Sequence, residues 1–292
     1  AKTVTETGFT LVSYSGTETV NIDTNAGLTV TGTNGDDTMN VLPLGSDSGS
    51  IDAGSSAPLI GYENVTGALT IGGGSAGNDT LEVSGDAGSN TGTSGASTVT
   101  FNGGTITVGG GIDQLDVLGM GGDDDIDMSS FTMSVGVQIF GAEGNDTIVG
   151  TPNNDFIDGG AGNDDIEGGD GDDQIFGGAG ADDIEGQGGD DNLFGNADGD
   201  LFIWNNGDGS DLIEGGTGRD VVEVNGAGAA SAGDDFLVEA SANRLSFERL
   251  NLGLFTLDMG AVEELDVDTG DSDGTTPDLV TPGEGLEPVG FN

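Results

Sequence analysis

The chain lacks cysteine and histidine and has only four basic residues among its 292. Without histidine or cysteine it cannot form a Ser-His-Asp triad, a thiol nucleophile or the usual zinc and haem ligand sets. Four Lys and Arg against 53 Asp and Glu give a net charge of −49, so binding to nucleic acid or to anionic lipid is not expected. No stretch reaches the roughly 18 apolar residues of a membrane-spanning helix, and no signal-peptide pattern opens the chain.

Glycine and acidic residues dominate what is present. There are 59 glycines, and the 33% of residues that are hydrophobic are rich in Val, Ile and Leu, which favour strands or buried positions. A charge this large is typical of disorder, but the acids here are spread with glycine in a regular pattern. We therefore expect a folded chain whose charge is neutralised from outside, and a hard cation that prefers carboxylate oxygen is the natural candidate.

A nine-residue repeat runs without insertion from Gly141 to Ile203. Its seven units read GAEGNDTIV, GTPNNDFID, GGAGNDDIE, GGDGDDQIF, GGAGADDIE, GQGGDDNLF and GNADGDLFI. Position one is always glycine. Position six is always aspartate: Asp146, Asp155, Asp164, Asp173, Asp182, Asp191 and Asp200. Position eight is always apolar: Ile148, Ile157, Ile166, Ile175, Ile184, Leu193 and Phe202.

Each unit has the composition of a six-residue turn followed by a three-residue strand. Gly, Asn and Asp tolerate left-handed backbone angles cheaply, and alternation along the strand points position eight inward and its neighbours outward. Two units then make one coil, so residues 18 apart stack at about 4.8 Å. The aspartates fall into two rows: Asp146, Asp164, Asp182 and Asp200 in one, and Asp155, Asp173 and Asp191 in the other.

Stacked carboxylates oppose folding unless something lies between them. Two such charges about 4.8 Å apart repel by roughly 1 kcal/mol in water, and by several at an effective dielectric near 20. A divalent ion between successive turns makes the net interaction attractive. The turn carbonyls then complete a shell of six or more oxygens that suits Ca²⁺ better than Mg²⁺. The alternative, that the glycine turns carry only solvated acids, leaves this repulsion unexplained.

The units resemble GGxGxDxUx, the nonapeptide of the RTX (repeats-in-toxin) family. The resemblance implies a parallel β-roll in which the position-six aspartates and the turn carbonyls bind Ca²⁺ between adjacent turns on the same side, with about five or more ions. It also implies that position five assists, through Asn145, Asn163, Asp172 and Asp190. The pattern departs at Thr151–Asn153 and at Asp198, where glycine is expected.

Looser copies flank the regular block. Upstream, GTNGDDTMN, GSAGNDTLE and GMGGDDDID place Asp37, Asp79 and Asp124 at position six, which indicates three divergent repeats of about 45 residues. These form either a wider solenoid or a small β-sandwich. Downstream, Asp211 and Asp220 take the same position, before segments that alternate as antiparallel strands do.

The predicted fold class is all-β, a parallel β-roll or β-solenoid with flanking irregular solenoid coils and C-terminal antiparallel strands. We expect the tail to dock on this molecule or on a neighbour through Leu279, Val280, Leu286 and Phe291. The predicted divisions are divergent repeats over 1–132, the calcium roll over 133–223, a strand-rich cap over 224–269 and a Pro/Gly/acidic tail over 270–292.

The repeat favours a structural protein over an enzyme, because catalytic acids need distinct environments and repeated positions share one. We expect a secreted, extracellular or cell-surface protein that folds and self-assembles with Ca²⁺, as a surface-layer, matrix or filament subunit, with adhesion as a variant of this role. Its expected partners are calcium ions and further copies of the chain. The alternative is an accessory or secretion module of a larger secreted enzyme or toxin.

Overall fold

The computed structural model describes residues 78–225 continuously, together with the β-strands on either side of that range. All regular elements among these residues are strands, and the predicted β-solenoid class is confirmed. The chain divides into two compact units, Ala1–Pro152 and Asn153–Asn292. The four functional divisions drawn from the sequence stay a prediction.

The first unit contains strands that recur in the order expected of solenoid coils. They are β1 (Thr3–Glu6), β2 (Val12–Ser13), β3 (Val20–Asp23), β4 (Leu28–Thr31), β5 (Thr38–Pro43), β6 (Gly49–Asp52), β7 (Leu59–Glu63), β8 (Leu69–Gly72), β9 (Thr80–Ser84), β10 (Thr91–Gly95), β11 (Thr98–Phe101), β12 (Gly104–Val108), β13 (Gln114–Gly121), β14 (Asp125–Asp127), β15 (Gly136–Glu143) and β16 (Thr147–Val149).

Two parallel ladders organise this unit. On one sheet β4, β8 and β12 pair in parallel, and on the other β5, β9, β13 and β15 do so. In the second ladder Thr38 pairs with Thr80, Thr80 with Gln114, and Gln114 with Gly136. The step between coils therefore shortens from 42 residues to 34 and then to 22. These parallel steps agree with the wider solenoid and not with the small sandwich.

Antiparallel meanders lengthen the early coils. β5, β6 and β7 form one meander, and β10, β11 and β12 form another on the opposite sheet. The outer strands of each meander also pair in parallel with strands of other coils, as β7 does with β3 and β10 does with β14. A meander thus inserts two additional strands into one sheet without breaking the parallel ladder.

The second unit contains the most regular coils. Its strands are β17 (Asp155–Ala161), β18 (Asp165–Asp170), β19 (Gln174–Ala179), β20 (Asp183–Gly188), β21 (Asn192–Ala197), β22 (Leu201–Asn205), β23 (Leu212–Thr217), β24 (Val221–Asn225), β25 (Asp235–Ser241), β26 (Arg244–Arg249), β27 (Thr256–Gly260), β28 (Glu264–Asp268) and β29 (Leu279–Pro282).

One sheet of this unit has the order β18-β20-β22-β24-β28, and the other β17-β19-β21-β23-β27-β26-β25-β29. Ile166 pairs with Ile184 and Ile184 with Phe202, which is the expected step of 18 residues. The next step, from Phe202 to Val222, is 20.

The C-terminal strands include the antiparallel set that the sequence predicts. β25, β26 and β27 form a third meander, and β27 joins β23 in parallel. The tail strand β29 pairs in parallel with β25, so Leu279 and Val280 do meet this molecule through their backbone. Leu286 and Phe291 lie outside the described residues.

Position eight of the repeat fills the solenoid interior, as predicted. All seven predicted side chains are at most 1% exposed, and each contributes about 1.5–3 kcal/mol by burial. Trp204 is also buried and donates its Nε1–H to the carbonyl of Gly209 at 3.1 Å. On the outer face the rings of Phe176 and Phe194, one coil apart, stack with centroids 4.8 Å apart, which is the strand spacing expected between coils.

Candidate metal centre

The position-six aspartates are buried, although each carries a group that prefers water. The described members have at most 5% of their surface exposed, and they are Asp79, Asp124, Asp146, Asp155, Asp164, Asp173, Asp182, Asp191, Asp200, Asp211 and Asp220. Asp37 lies outside the described residues. Buried carboxylates need partners or a metal, so the contacts of these side chains decide what the solenoid can bind.

In most of these aspartates one carboxylate oxygen accepts a backbone N–H of the preceding coil. In the first row, Oδ1 of Asp173 accepts the backbone N–H of Asp155 at 2.8 Å, and Oδ1 of Asp191 accepts that of Asp173 at 2.9 Å. Asp211 accepts the N–H of Asp191 at 3.0 Å. The second row repeats this contact through Asp164, Asp182, Asp200 and Asp220 at 2.9–3.0 Å. In the second unit the structure therefore joins Asp155, Asp173 and Asp191 in one row that ends at Asp211, and Asp164, Asp182 and Asp200 in another that ends at Asp220.

The other oxygen, Oδ2, is buried and in several aspartates accepts no hydrogen bond from any residue that the structure describes. These are Asp124, Asp173, Asp182, Asp191 and Asp200. Leaving such a group without a partner costs about 1–3 kcal/mol, and more when it is charged. A row of such oxygens repeated at coil spacing is consequently unfavourable until a positive group meets them.

Each Oδ2 points back at the first glycine of its own repeat. A methyl group built on Gly168 would lie 2.6 Å from Oδ2 of Asp173 and 2.6 Å from the carbonyl oxygen of Gly186, one coil further. Two oxygens of like partial charge thus flank a space that only glycine leaves open. This explains the invariant glycine at position one, and the donor atoms are those that Ca²⁺ prefers.

Burial raises the pKa values of these carboxyl groups. The pKa of Asp173 rises to about 8, chiefly by burial, with a further rise from the charges of Asp155 and Asp191, although the hydrogen bond from Asp155 lowers it. Burial likewise raises the pKa of Asp211 to about 8, and those of Asp182, Asp191 and Asp200 to about 6. The metal-free site therefore favours protons, and a bound cation would favour the ionised form.

The position-five residues lie outside this buried row. Oδ1 of Asn163 accepts the backbone N–H of Ala181 at 3.1 Å, and Oδ1 of Asp172 accepts that of Asp190 at 3.0 Å. Oδ1 of Asp190 in turn accepts the N–H of Ser210, whereas Asn145 donates its backbone N–H to Asp123. Asn163, Asp172 and Asp190 thus accept hydrogen bonds from the following coil. The position-six aspartates, in contrast, accept theirs from the preceding coil. A ligand role for position five stays a prediction.

A cation here would need backbone oxygen as well as carboxylate. Within the described part of the chain, no three acidic side chains converge as a metal-binding group. Ca²⁺ takes six to eight oxygens, so Asp173, Asp182 and their row neighbours would supply one or two each, and the turn carbonyls the rest. The residues present fit the ion that the sequence predicts.

Two residues that the repeat pattern does not identify make the same coil-to-coil contact. Asp113 accepts the backbone N–H of Asp79 through Oδ2 at 3.0 Å. Asn90 is buried, and its backbone N–H donates to Oδ1 of Asp124, as position six does elsewhere. The signal at Asn90 is the unit GDAGSNTGT, which has glycine at positions one and four but Gly92 in place of the apolar residue. The ring of Phe101 takes up the space beside Gly92.

Comparison with known families agrees with this geometry. Residues 140–175, 167–202 and 205–226 match the RTX calcium-binding nonapeptide repeat. The segment 140–226 is an array of RTX repeats. A search of curated proteins gives no match to the chain. The RTX segment contains every predicted position-six aspartate from Asp146 to Asp220, and the chain is accordingly a calcium-binding β-roll protein.

The described residues contain no helix long and apolar enough to cross a membrane.

Proposed function

We propose that this chain is an extracellular structural protein whose coils fold on Ca²⁺ and which then assembles with copies of itself. The observation that carries the calcium-dependent step is the row of buried Oδ2 atoms without hydrogen bonds from the described residues, at Asp173, Asp182, Asp191 and Asp200. Each lies against the first glycine of its own repeat, and beside Asp173 and Asp200 a carbonyl oxygen of the next coil borders the same space. Each also belongs to a repeat whose family binds calcium.

The metal-free and calcium-bound chains differ in what balances the charge. Without calcium, both rows oppose compaction, because each buried aspartate must either bind a proton or remain charged beside its neighbours. Bound Ca²⁺ supplies positive charge between coils, so that binding free energy becomes folding free energy. Millimolar extracellular calcium matches the weaker protein sites, at about 10⁻⁴–10⁻³ M, which supports a role outside the cell.

A structural role is supported by the extent of the repeat. Parallel coil-to-coil pairing is present from β4 to β12 in the first unit and from β18 to β28 in the second. The position-six aspartates share one environment, which suits repeated ion binding and not the distinct acid and base of an active site. We therefore assign no enzymatic activity to this chain.

The test is a calcium titration of the full chain from EGTA, followed by circular dichroism and light scattering, with Mg²⁺ as the matched control ion. We expect strand signal and particle mass to rise together with Ca²⁺ and not with Mg²⁺. Strand signal without growth in mass would overturn the assembly role. An unchanged spectrum would overturn calcium-dependent folding as well.

A second function is favoured by the limits of the family match. The RTX repeat is matched only within residues 140–226, as in an accessory or secretion module attached to a separate functional domain. A calcium-folded but monomeric chain in the same titration would support this alternative.

A further inference from the structure

Asn90 occupies the aspartate position of the row that continues through Asp124 and Asp146. Its backbone N–H donates to Oδ1 of Asp124, just as that of Asp124 donates to Oδ1 of Asp146 at 2.8 Å. Its carbonyl accepts the N–H of Asp125 at 2.9 Å, and the carbonyl of Asp124 accepts that of Thr147 at 2.8 Å. Asn90 is therefore the position-six residue of its coil.

The side-chain amide of Asn90 meets the oxygens that elsewhere face a carboxylate. Nδ2 lies 3.0 Å from the carbonyl oxygen of Gly119 and 3.0 Å from Oδ1 of Asp124. It also donates to the carbonyls of Asp86, at 3.1 Å, and Gly88. Four oxygens thus surround one nitrogen, and its two hydrogens serve all of them.

The placement of this nitrogen is equivalent to that of Oδ2 in the aspartate repeats. A methyl group built on Gly85 would lie 2.7 Å from Nδ2 of Asn90 and 2.5 Å from the Gly119 carbonyl oxygen. The corresponding methyl group on Gly168 would lie 2.6 Å from Oδ2 of Asp173 and from the next coil's carbonyl oxygen. Where Asp173 leaves two oxygens facing each other, Asn90 places an N–H donor.

The contacts on the other side of the amide fix its orientation. Oδ1 of Asn90 accepts the backbone N–H of Asp86 at 3.1 Å and the side-chain Nδ2–H of Asn102 at 2.6 Å. Reversing the amide would set its oxygen against four oxygens and its nitrogen against two donors. The amide hydrogens therefore point into the oxygen cluster.

We infer that Asn90 closes its coil without calcium, and that it determines where the calcium-binding row of Asp124 and Asp146 ends. The amide hydrogens satisfy the oxygens that an ion would otherwise bridge. This coil can then form in the metal-free chain and present a folded edge to the later coils. The inference rests on the proposed role of Ca²⁺ between coils.

The test converts this coil into a calcium site by Asn90→Asp in the full chain. The carboxylate would place a second oxygen beside the carbonyl of Gly119, as Asp173 does beside that of Gly186. We expect one more Ca²⁺ per chain by equilibrium dialysis and calorimetry, together with less strand signal in EGTA. Ala87→Asp is the control, because it adds the same charge to the same turn at an exposed position, where another repeat has Asp170.

The outcomes separate this inference from the proposed function. If the wild-type chain binds no Ca²⁺, the proposed function fails. If the wild-type chain binds Ca²⁺ but Asn90→Asp adds no ion beyond the Ala87→Asp control, the inference about Asn90 is overturned.

A measurement on the wild-type chain does not depend on how the variant folds. In EGTA, hydrogen exchange should leave the backbone N–H of Asn90 more protected than that of Asp173. Equal loss of protection at the two amides would overturn the inference.

Discussion

Replacing Asp182 by Asn should stabilise the metal-free fold while weakening calcium binding. Asp182 is fully buried, and its Oδ1 accepts the backbone N–H of Asp164. Asparagine keeps that acceptor and replaces the Oδ2 that lacks a hydrogen bond from the described residues by an N–H donor. The substitution places an N–H donor beside Gly177, as Nδ2 of Asn90 lies beside Gly85 in its own coil.

The expected size follows from the pKa of Asp182, which burial raises from 3.8 to about 6. Because the folded-state pKa lies above the unfolded value, this group's contribution to stability is complete below about pH 4 and is lost as the pH rises through about 6. This rise in pKa corresponds to roughly 3 kcal/mol of stability at neutral pH. Asp182→Asn removes this loss, since the amide does not ionise.

The assay is a pH titration of strand signal in EGTA, repeated in calcium. In EGTA the Asp182→Asn chain should stay folded to higher pH than the wild type, and in calcium it should need more Ca²⁺ to reach its midpoint. Asp165→Asn is the control. Asp165 is exposed at the start of β18, so this substitution removes the same charge and should change stability by less than about 0.5 kcal/mol. Asp182→Asn failing to exceed Asp165→Asn in EGTA would refute the reasoning.

Two further predictions concern the same coils. Gly168→Ala should raise the calcium midpoint and destabilise the folded chain by about 1–3 kcal/mol, because its methyl group would meet both Asp173 Oδ2 and the Gly186 carbonyl oxygen. Gly188→Ala is the control, because the nearest atom to its methyl group would be 3.1 Å away, and it should change the midpoint and the stability less. Equal effects of the two substitutions would contradict the assignment. In a chain that is already folded before Ca²⁺ is added, calcium binding should release protons and weaken below neutral pH, because the pKa of Asp173 is raised to about 8 in the metal-free fold. A calcium midpoint of this prefolded chain that does not change between pH 6 and 8.5 would argue against this.

The regular coils could be predicted from the sequence because their period fixes their geometry. Glycine at position one, aspartate at six and an apolar residue at eight leave one arrangement that buries Ile166 and Ile184 above each other. The same spacing places Asp164 and Asp182 in one row. Here the nine-residue period also determines which residues pair between coils, so the sequence pattern is enough to predict the fold of these coils.

The meanders and the role of Asn90 could not be predicted in this way. β6 pairs with its sequence neighbours β5 and β7, but the place of this meander in the sheet depends on the pairing of β7 with β3 and of β5 with β9, about 40 residues away. The local composition does not contain that information. Asn90 differs from an aspartate by one atom, and Gly92 interrupts the apolar signal beside it. Only the placement of Phe101 and of the Gly119 carbonyl reveals what that coil has in common with the others.

Because the coils differ in length, they would release different lengths of chain when the molecule is stretched. A coil contributes one strand spacing, about 4.8 Å, to the solenoid while folded, but much more once it is pulled free. At about 3.4 Å per extended residue, the 18-residue coils of the second unit would each release roughly 60 Å, and the 34-residue coil that ends at Asp124 roughly 115 Å. Stretching would therefore proceed in discrete increments whose length identifies the coil that has given way.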